Sequence, residues 1–161
     1  MSIEELPSKY LMHKIKCKRS PNTVKRTAFS ICYYMKYMAE KEMELTEVYQ
    51  LDYEKQTEHF VEFLYWLKAG KHTRDKNHRS PNNGTCNAYL KDVFRFYLFI
   101  EAEYEQYGSL KTLSYNQIIA VNQVGVKKVL RNHSFKAYLK EEEHRGRTAK
   151  ENQIITILQA C

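Results

Sequence analysis

From residue 7 to about residue 107 the apolar side chains of this chain recur three and four positions apart, and they almost never alternate. That period lays them along one face of an α-helix and gives a strand no consistent inner face. Glycine and proline, the residues that interrupt helices, number only 5 and 3 in 161. The fold is therefore predicted to be all-α. A first helix over 7–18 turns Leu11 and Ile15 inward, and a second over 22–41 buries Val24, Ala28, Ile31, Met35 and Met38. A connector over 43–52 is held by Leu45, Val48 and Leu51. A third helix over 54–69 carries Phe60, Phe63, Leu64 and Leu67, with Gly70 at its C-cap. A polar loop over 71–83 precedes a fourth helix over 84–107, whose stripe is Tyr89, Val93, Phe96, Tyr97 and Ile100 and whose stop is Gly108. The tyrosines of the second helix, Tyr33, Tyr34 and Tyr37, are assigned to the core and its rim rather than to base stacking.

Beyond Gly108 the pattern weakens. Residues 109–148 read as a linker with short helices, including a strongly charged stretch from Phe135 to Arg147. Residues 149–161 return to helical spacing with Ile154, Ile157, Leu158 and Cys161, and the chain stops there without a cap, as a piece of a longer protein would. Three units follow: a four-helix bundle over 1–108, the linker over 109–148, and a helical fragment over 149–161.

The formal charge is +7 and the pI about 9.1, which favours an anionic partner. Its distribution says more. Lys14, Lys16, Lys18, Arg19, Lys25 and Arg26 form one basic run without an acid, and Lys68, Lys71, Arg74, Lys76 and Arg79 form a second around Asp75. Acids collect over 40–62. The basic runs flank two similar helix openings, Ser20-Pro21-Asn22-Thr23 and Ser80-Pro81-Asn82-Asn83-Gly84-Thr85. Each combines capping residues with proline, and a helix start gathers free N–H groups and the positive end of the dipole, which suits a phosphate. Two solvated lysine-rich surfaces would account for the same runs.

Four scattered cysteines, Cys17, Cys32, Cys86 and Cys161, form no CxxC pair and match no zinc spacing with the histidines. They fit a reducing compartment. An acidic N-terminus at Glu4 and Glu5 has no signal-peptide character, and no apolar run reaches membrane length. A cytoplasmic protein with no cofactor, no metal and no membrane partner is expected. No acid pair, Ser/His arrangement or phosphate-binding glycine loop marks an enzyme.

The pattern Ser20-Pro21-Asn22-Thr23-Val24-Lys25, running into Phe29, Tyr33 and Tyr34, resembles the second helix of the SAM-like core-binding domain of tyrosine recombinases. Thr85-Cys86-Asn87-Ala88-Tyr89-Leu90-Lys91-Asp92-Val93-Phe94-Arg95-Phe96-Tyr97 is similar to that domain's fourth helix. Leu45-Thr46-Glu47-Val48 and Phe63-Leu64-Tyr65-Trp66-Leu67 match its connector and third helix. The long basic loop is most like the transposase-A branch of phage-type integrases, and Asn152 to Cys161 resembles the first helix of the catalytic domain. The resemblance covers about residues 1–108. It implies a bacterial or mobile-element protein whose helical domain closes on one side of duplex DNA while a catalytic domain closes on the other. That partner half would cut and rejoin strands with a tyrosine nucleophile and two arginines. No Gly-Leu-Arg or His-x-x-Arg motif occurs here, and Arg145 and Arg147 flank Gly146 in a solvated stretch, so no catalytic residue is assigned. Self-association on DNA would belong to the intact protein.

The resemblance places the second and fourth helices on DNA. With the stripes above turned inward, the expected contacts are Asn22, Thr23, Lys25, Arg26 and Ser30 from the second helix. Arg74, Lys76 and Arg79 come from the loop, and Thr85, Asn87, Lys91 and Arg95 from the fourth helix. Lysines and arginines would neutralise phosphates, and Asn87 would read an adenine edge. Thr23 and Thr85 serve equally well as helix caps. The alternative function is a helical protein-interaction module with a charged docking face.

Overall fold

The computed structural model describes residues 5–75, 80–113, 115–121, 123–125, 127–133 and 135–141. Five α-helices form a packed bundle: α1 (Leu6–Lys16), α2 (Pro21–Glu40), the one-turn α3 (Glu47–Gln50), α4 (Tyr53–Lys68) and α5 (Asn83–Glu103). The three long helices after α1 start at side-chain caps. Ser20 accepts from the Thr23 N–H at 3.3 Å, Asp52 from the Lys55 N–H at 2.8 Å and Asn82 from the Thr85 N–H at 2.8 Å. After α4 the chain turns through Gly70 at φ +76°, a left-handed position that glycine occupies without steric cost.

The core is built as much from tyrosines as from aliphatics. Tyr34, Tyr37 and Tyr97 are fully enclosed with Phe60, Phe63, Leu64, Leu67 and Phe96. Their hydroxyls have partners inside: Tyr34 Oη lies 2.6 Å from Tyr97 Oη and 2.8 Å from His59 Nε2, and Tyr37 donates to the His59 carbonyl at 2.8 Å. The interior face of α2 is consequently Thr27, Ser30, Ile31, Tyr34, Tyr37 and Met38. This is rotated from the expected stripe, since Val24, Ala28 and Met35 are only half-buried. The same correction applies to α1. Leu6 and Tyr10 point inward, with Tyr10 against Phe96 and Phe99, whereas Ile15 is 54% exposed. In α2 the inner positions go to rings whose hydroxyls find partners, and in α1 the Tyr10 ring gains its place through contacts with two phenylalanine rings.

The segment expected to hold short helices differs most. Two single 3₁₀ turns, Glu105–Tyr107 and Lys111–Leu113, lead into an antiparallel hairpin, β1 (Tyr115–Val121) with β2 (Lys127–His133). The pairing runs from Tyr115 opposite His133 to Val121 opposite Lys127, and the connection includes Gly125 at φ +82°. The bundle is helical as expected; an all-α description stops at this hairpin. The β-branched residues Ile118, Ile119, Val121 and Val129 with a glycine-bearing connection are its local cause. Residues 135–141 then return as an extended strap against α5, with Phe135 buried against Phe60 and Phe94. The expected helix over 149–161 lies outside the described residues.

Candidate nucleic-acid interface

The turn between α1 and α2 brings the first basic run to the start of α2. Lys18 N–H donates to the Ile15 carbonyl at 3.0 Å and Arg19 N–H to the Lys14 carbonyl at 3.4 Å. This is a Schellman closure with Lys18 in the left-handed position at φ +54°. The chain then enters α2 through Ser20 and Pro21, and the first turn of α2 contains no acid.

Beside this start lies an open cleft of about 540 Å³, lined by Lys14, Lys18, Arg19, Ser20, Thr23, Arg26, Thr27, Asp92 and Arg95. Five cationic side chains thus face one carboxylate. Burial, then the nearby charges of Arg19 and Arg95, hold the Lys14 ammonium below its ordinary value. Asp92, on α5, is enclosed, with its side chain 2% exposed. Arg26 binds it through Nε at 3.1 Å and Nη2 at 3.2 Å, and Arg95 through Nη1 at 3.0 Å. With the Ser30 hydroxyl 2.8 Å from Oδ2, both carboxylate oxygens meet two donor groups each, which is what an enclosed charge requires.

The expected contacts do not share one environment. Thr23, Arg26 and Arg95 line the cleft, with Thr23 Oγ1 2.8 Å from Ser20 Oγ. Asn22 and Lys25 are exposed on the opening turns of α2 next to it, and Arg74 is exposed on the loop after Gly70. Lys91 is exposed as well, its ammonium 5.3 Å from the centre of the Tyr138 ring.

Two others are interior, contrary to the expectation. Ser30 is fully buried, its hydroxyl 2.8 Å from Asp92 Oδ2 and 2.9 Å from the Arg26 carbonyl, because the face of α2 is rotated. Asn87 is 2% exposed and holds the strap: its Nδ2 donates to the Leu139 carbonyl at 2.8 Å, and its Oδ1 accepts from the Leu139 N–H at 3.0 Å. Thr85 is half-buried in the first turn of α5, where its N–H is taken by the Asn82 cap. Lys76 and Arg79 lie outside the described residues.

The two helix openings also differ in what they face. Arg26 reaches Asp92, while Tyr33, seven residues later on α2, meets Tyr89, three residues earlier on α5, at 5.3 Å. The helices therefore run in opposing senses there, and the start of α2 sits against the middle of α5 rather than beside its start. The start of α5 is covered by the strap. Asn83 donates to the Lys140 carbonyl at 2.7 Å, and the Glu141 carboxylate accepts from Asn87 at 3.3 Å. A Cβ on Gly84 would stand 3.7 Å from the Glu141 carboxyl carbon. An internal anion takes the place expected for a phosphate.

The cleft's lysines and arginines were legible in the sequence, but Asp92 was not singled out as their organiser. Its signal, an acid three residues before Arg95 inside a helix of apolar character, has no partner until α2 is laid against α5. Among the described residues no group of three or more His, Cys, Asp or Glu side chains gathers as a metal site, and no helix is long and apolar enough to cross a membrane. Comparison of the chain with protein-family models, with curated proteins and with solved structures returns no match.

Proposed function

We propose that this chain grips the phosphate backbone of double-stranded DNA through the cleft at the start of α2, as the SAM-like core-binding arm of a tyrosine recombinase, integrase or transposase. The observation that carries the reading is the charge imbalance of the cleft: Lys14, Lys18, Arg19, Arg26 and Arg95 against Asp92 alone. Cations converging in an open cleft beside an acid-free helix start suit an anion that repeats along a surface. The family reading rests on the sequence resemblance, which falls on α2 and α5, the helices whose contact builds the cleft. In that reading strand cleavage belongs to a catalytic half, and this arm contributes affinity and register. Phosphate contacts position a protein on DNA, while base contacts specify the site.

The test is fluorescence anisotropy of a labelled random duplex, titrated with the full chain across a salt series. Binding should weaken with salt, with a log–log slope of about 4 if most of the cleft cations meet phosphates. Replacing Arg19 and Lys25 with alanine should weaken binding and lower that slope by roughly two. A double variant indistinguishable from wild type at every salt concentration overturns the placement of the site. Absence of wild-type binding at low salt overturns the DNA reading and favours the charged protein-docking module. The family assignment has its own check: the reading frame after Cys161 should continue into an arginine-bearing motif and a late tyrosine.

A further inference from the structure

Asp92 is the acid on the wall of a basic cleft, and charge alone does not explain it there. A neutral residue at the same position would leave the cleft more attractive to an anion. What the carboxylate does is geometric. It binds the Nε–Nη2 edge of Arg26 from α2 and Nη1 of Arg95 from α5, and the Ser30 hydroxyl sits 2.8 Å from its Oδ2. Two guanidiniums on neighbouring helices repel each other and sit on long, rotatable stems. A shared buried carboxylate cancels the repulsion and removes the rotational freedom before any ligand arrives.

The bonds to Asp92 do not exhaust either guanidinium. The Nη1 group of Arg26 and the Nε–Nη2 edge of Arg95 make no bond to Asp92, and the two side chains are 50% and 54% exposed. Planar donors presented in this way match the oxygens of a phosphate. Lys14, Lys18 and Arg19 line the same cleft, so the surrounding charge also favours an anion.

Resting on the DNA-binding reading above, we propose that Asp92 is a positioning residue: it pins Arg26 and Arg95 side by side so that their remaining N–H groups grip one backbone phosphate of the duplex. The test sets geometry against charge. Asp92→Asn raises the net charge by one, so a cleft that works by charge alone binds duplex more tightly after the change. The proposal expects the opposite, a loss of about tenfold with the salt slope lower by about one, as when one phosphate contact is lost. Arg95→Lys keeps the charge and removes the planar fork, and should cost roughly fivefold while leaving the Arg26–Asp92 pair intact.

Wild-type or tighter binding by Asp92→Asn, with an unchanged circular dichroism spectrum, overturns the proposal. So does wild-type affinity in Arg95→Lys, and that variant decides alone if Asp92→Asn does not fold. These outcomes leave the DNA reading standing as long as wild-type protein binds. A wild type that does not bind duplex at low salt removes that reading and this proposal together.

Discussion

Lys18 holds φ +54° at a helix end where glycine is favoured, because a side chain with a Cβ is strained there by about 1 kcal/mol. Its side chain lines the basic cleft. Glu42 provides an internal comparison. It closes α2 in the same way, at φ +53°, with its N–H on the Ala39 carbonyl at 3.1 Å and the Met43 N–H on the Met38 carbonyl at 3.0 Å, but it does not line the cleft. Lys18→Gly and Glu42→Gly should therefore each raise stability by roughly 0.5–1 kcal/mol in urea unfolding. Only Lys18→Gly should weaken duplex binding. Equal effects of the two variants on binding would mean that the strained lysine has no role in the cleft. The sequence displayed Lys18 as one member of a basic run; its backbone conformation emerged only when α1 and α2 were joined.

At the scale of elements, the strap is what distinguishes the start of α5 from that of α2. Asn87 holds both the N–H and the carbonyl of Leu139, much as a neighbouring strand would. Phe135 anchors the other end of the strap under the rings of Phe60 and Phe94. Asn87→Ala leaves two backbone groups of Leu139 without their partner and should destabilise the protein by about 1–3 kcal/mol. Faster hydrogen exchange of the Leu139 amide relative to amides within α2 is the local readout. Unchanged exchange there would show that the apolar anchor holds the strap by itself. Asn87 is expected to face DNA because an inward stripe of Tyr89 and Val93 leaves it on the opposite side of the helix. The strap that buries it is 52 residues away in sequence, too far for a helical period to register. The hairpin escaped for a related reason: two seven-residue strands satisfy each other's backbone groups, but neither carries a sustained alternation of its own.

At the scale of the whole molecule, the bundle closes around His59, which joins α4 to α2. Burial lowers its pKa from 6.5 to about 4, with the Glu62 charge opposing the shift. Between those values the unfolded chain takes up a proton that the folded chain refuses. The contribution is therefore complete above about pH 6.5 and is lost as pH falls towards 4, by roughly 3 kcal/mol in total. His59→Gln retains a polar partner for Tyr34 and should flatten the pH dependence of urea unfolding in that window; the same pH slope in both proteins would mean that other groups set it. What the sequence determined by itself was what local chemistry encodes: the helical period, the capped openings at Ser20 and Asn82, the turn at Gly70 and the cationic character of the α1–α2 junction. Tertiary structure alone decided which face of α1 and of α2 turned inward, that Asp92 would bridge two arginines, and that Glu141 would cover the start of α5. Those outcomes depend on which polar groups find partners when distant segments meet, and a buried hydroxyl, amide or carboxylate is stable only once that partner is in place.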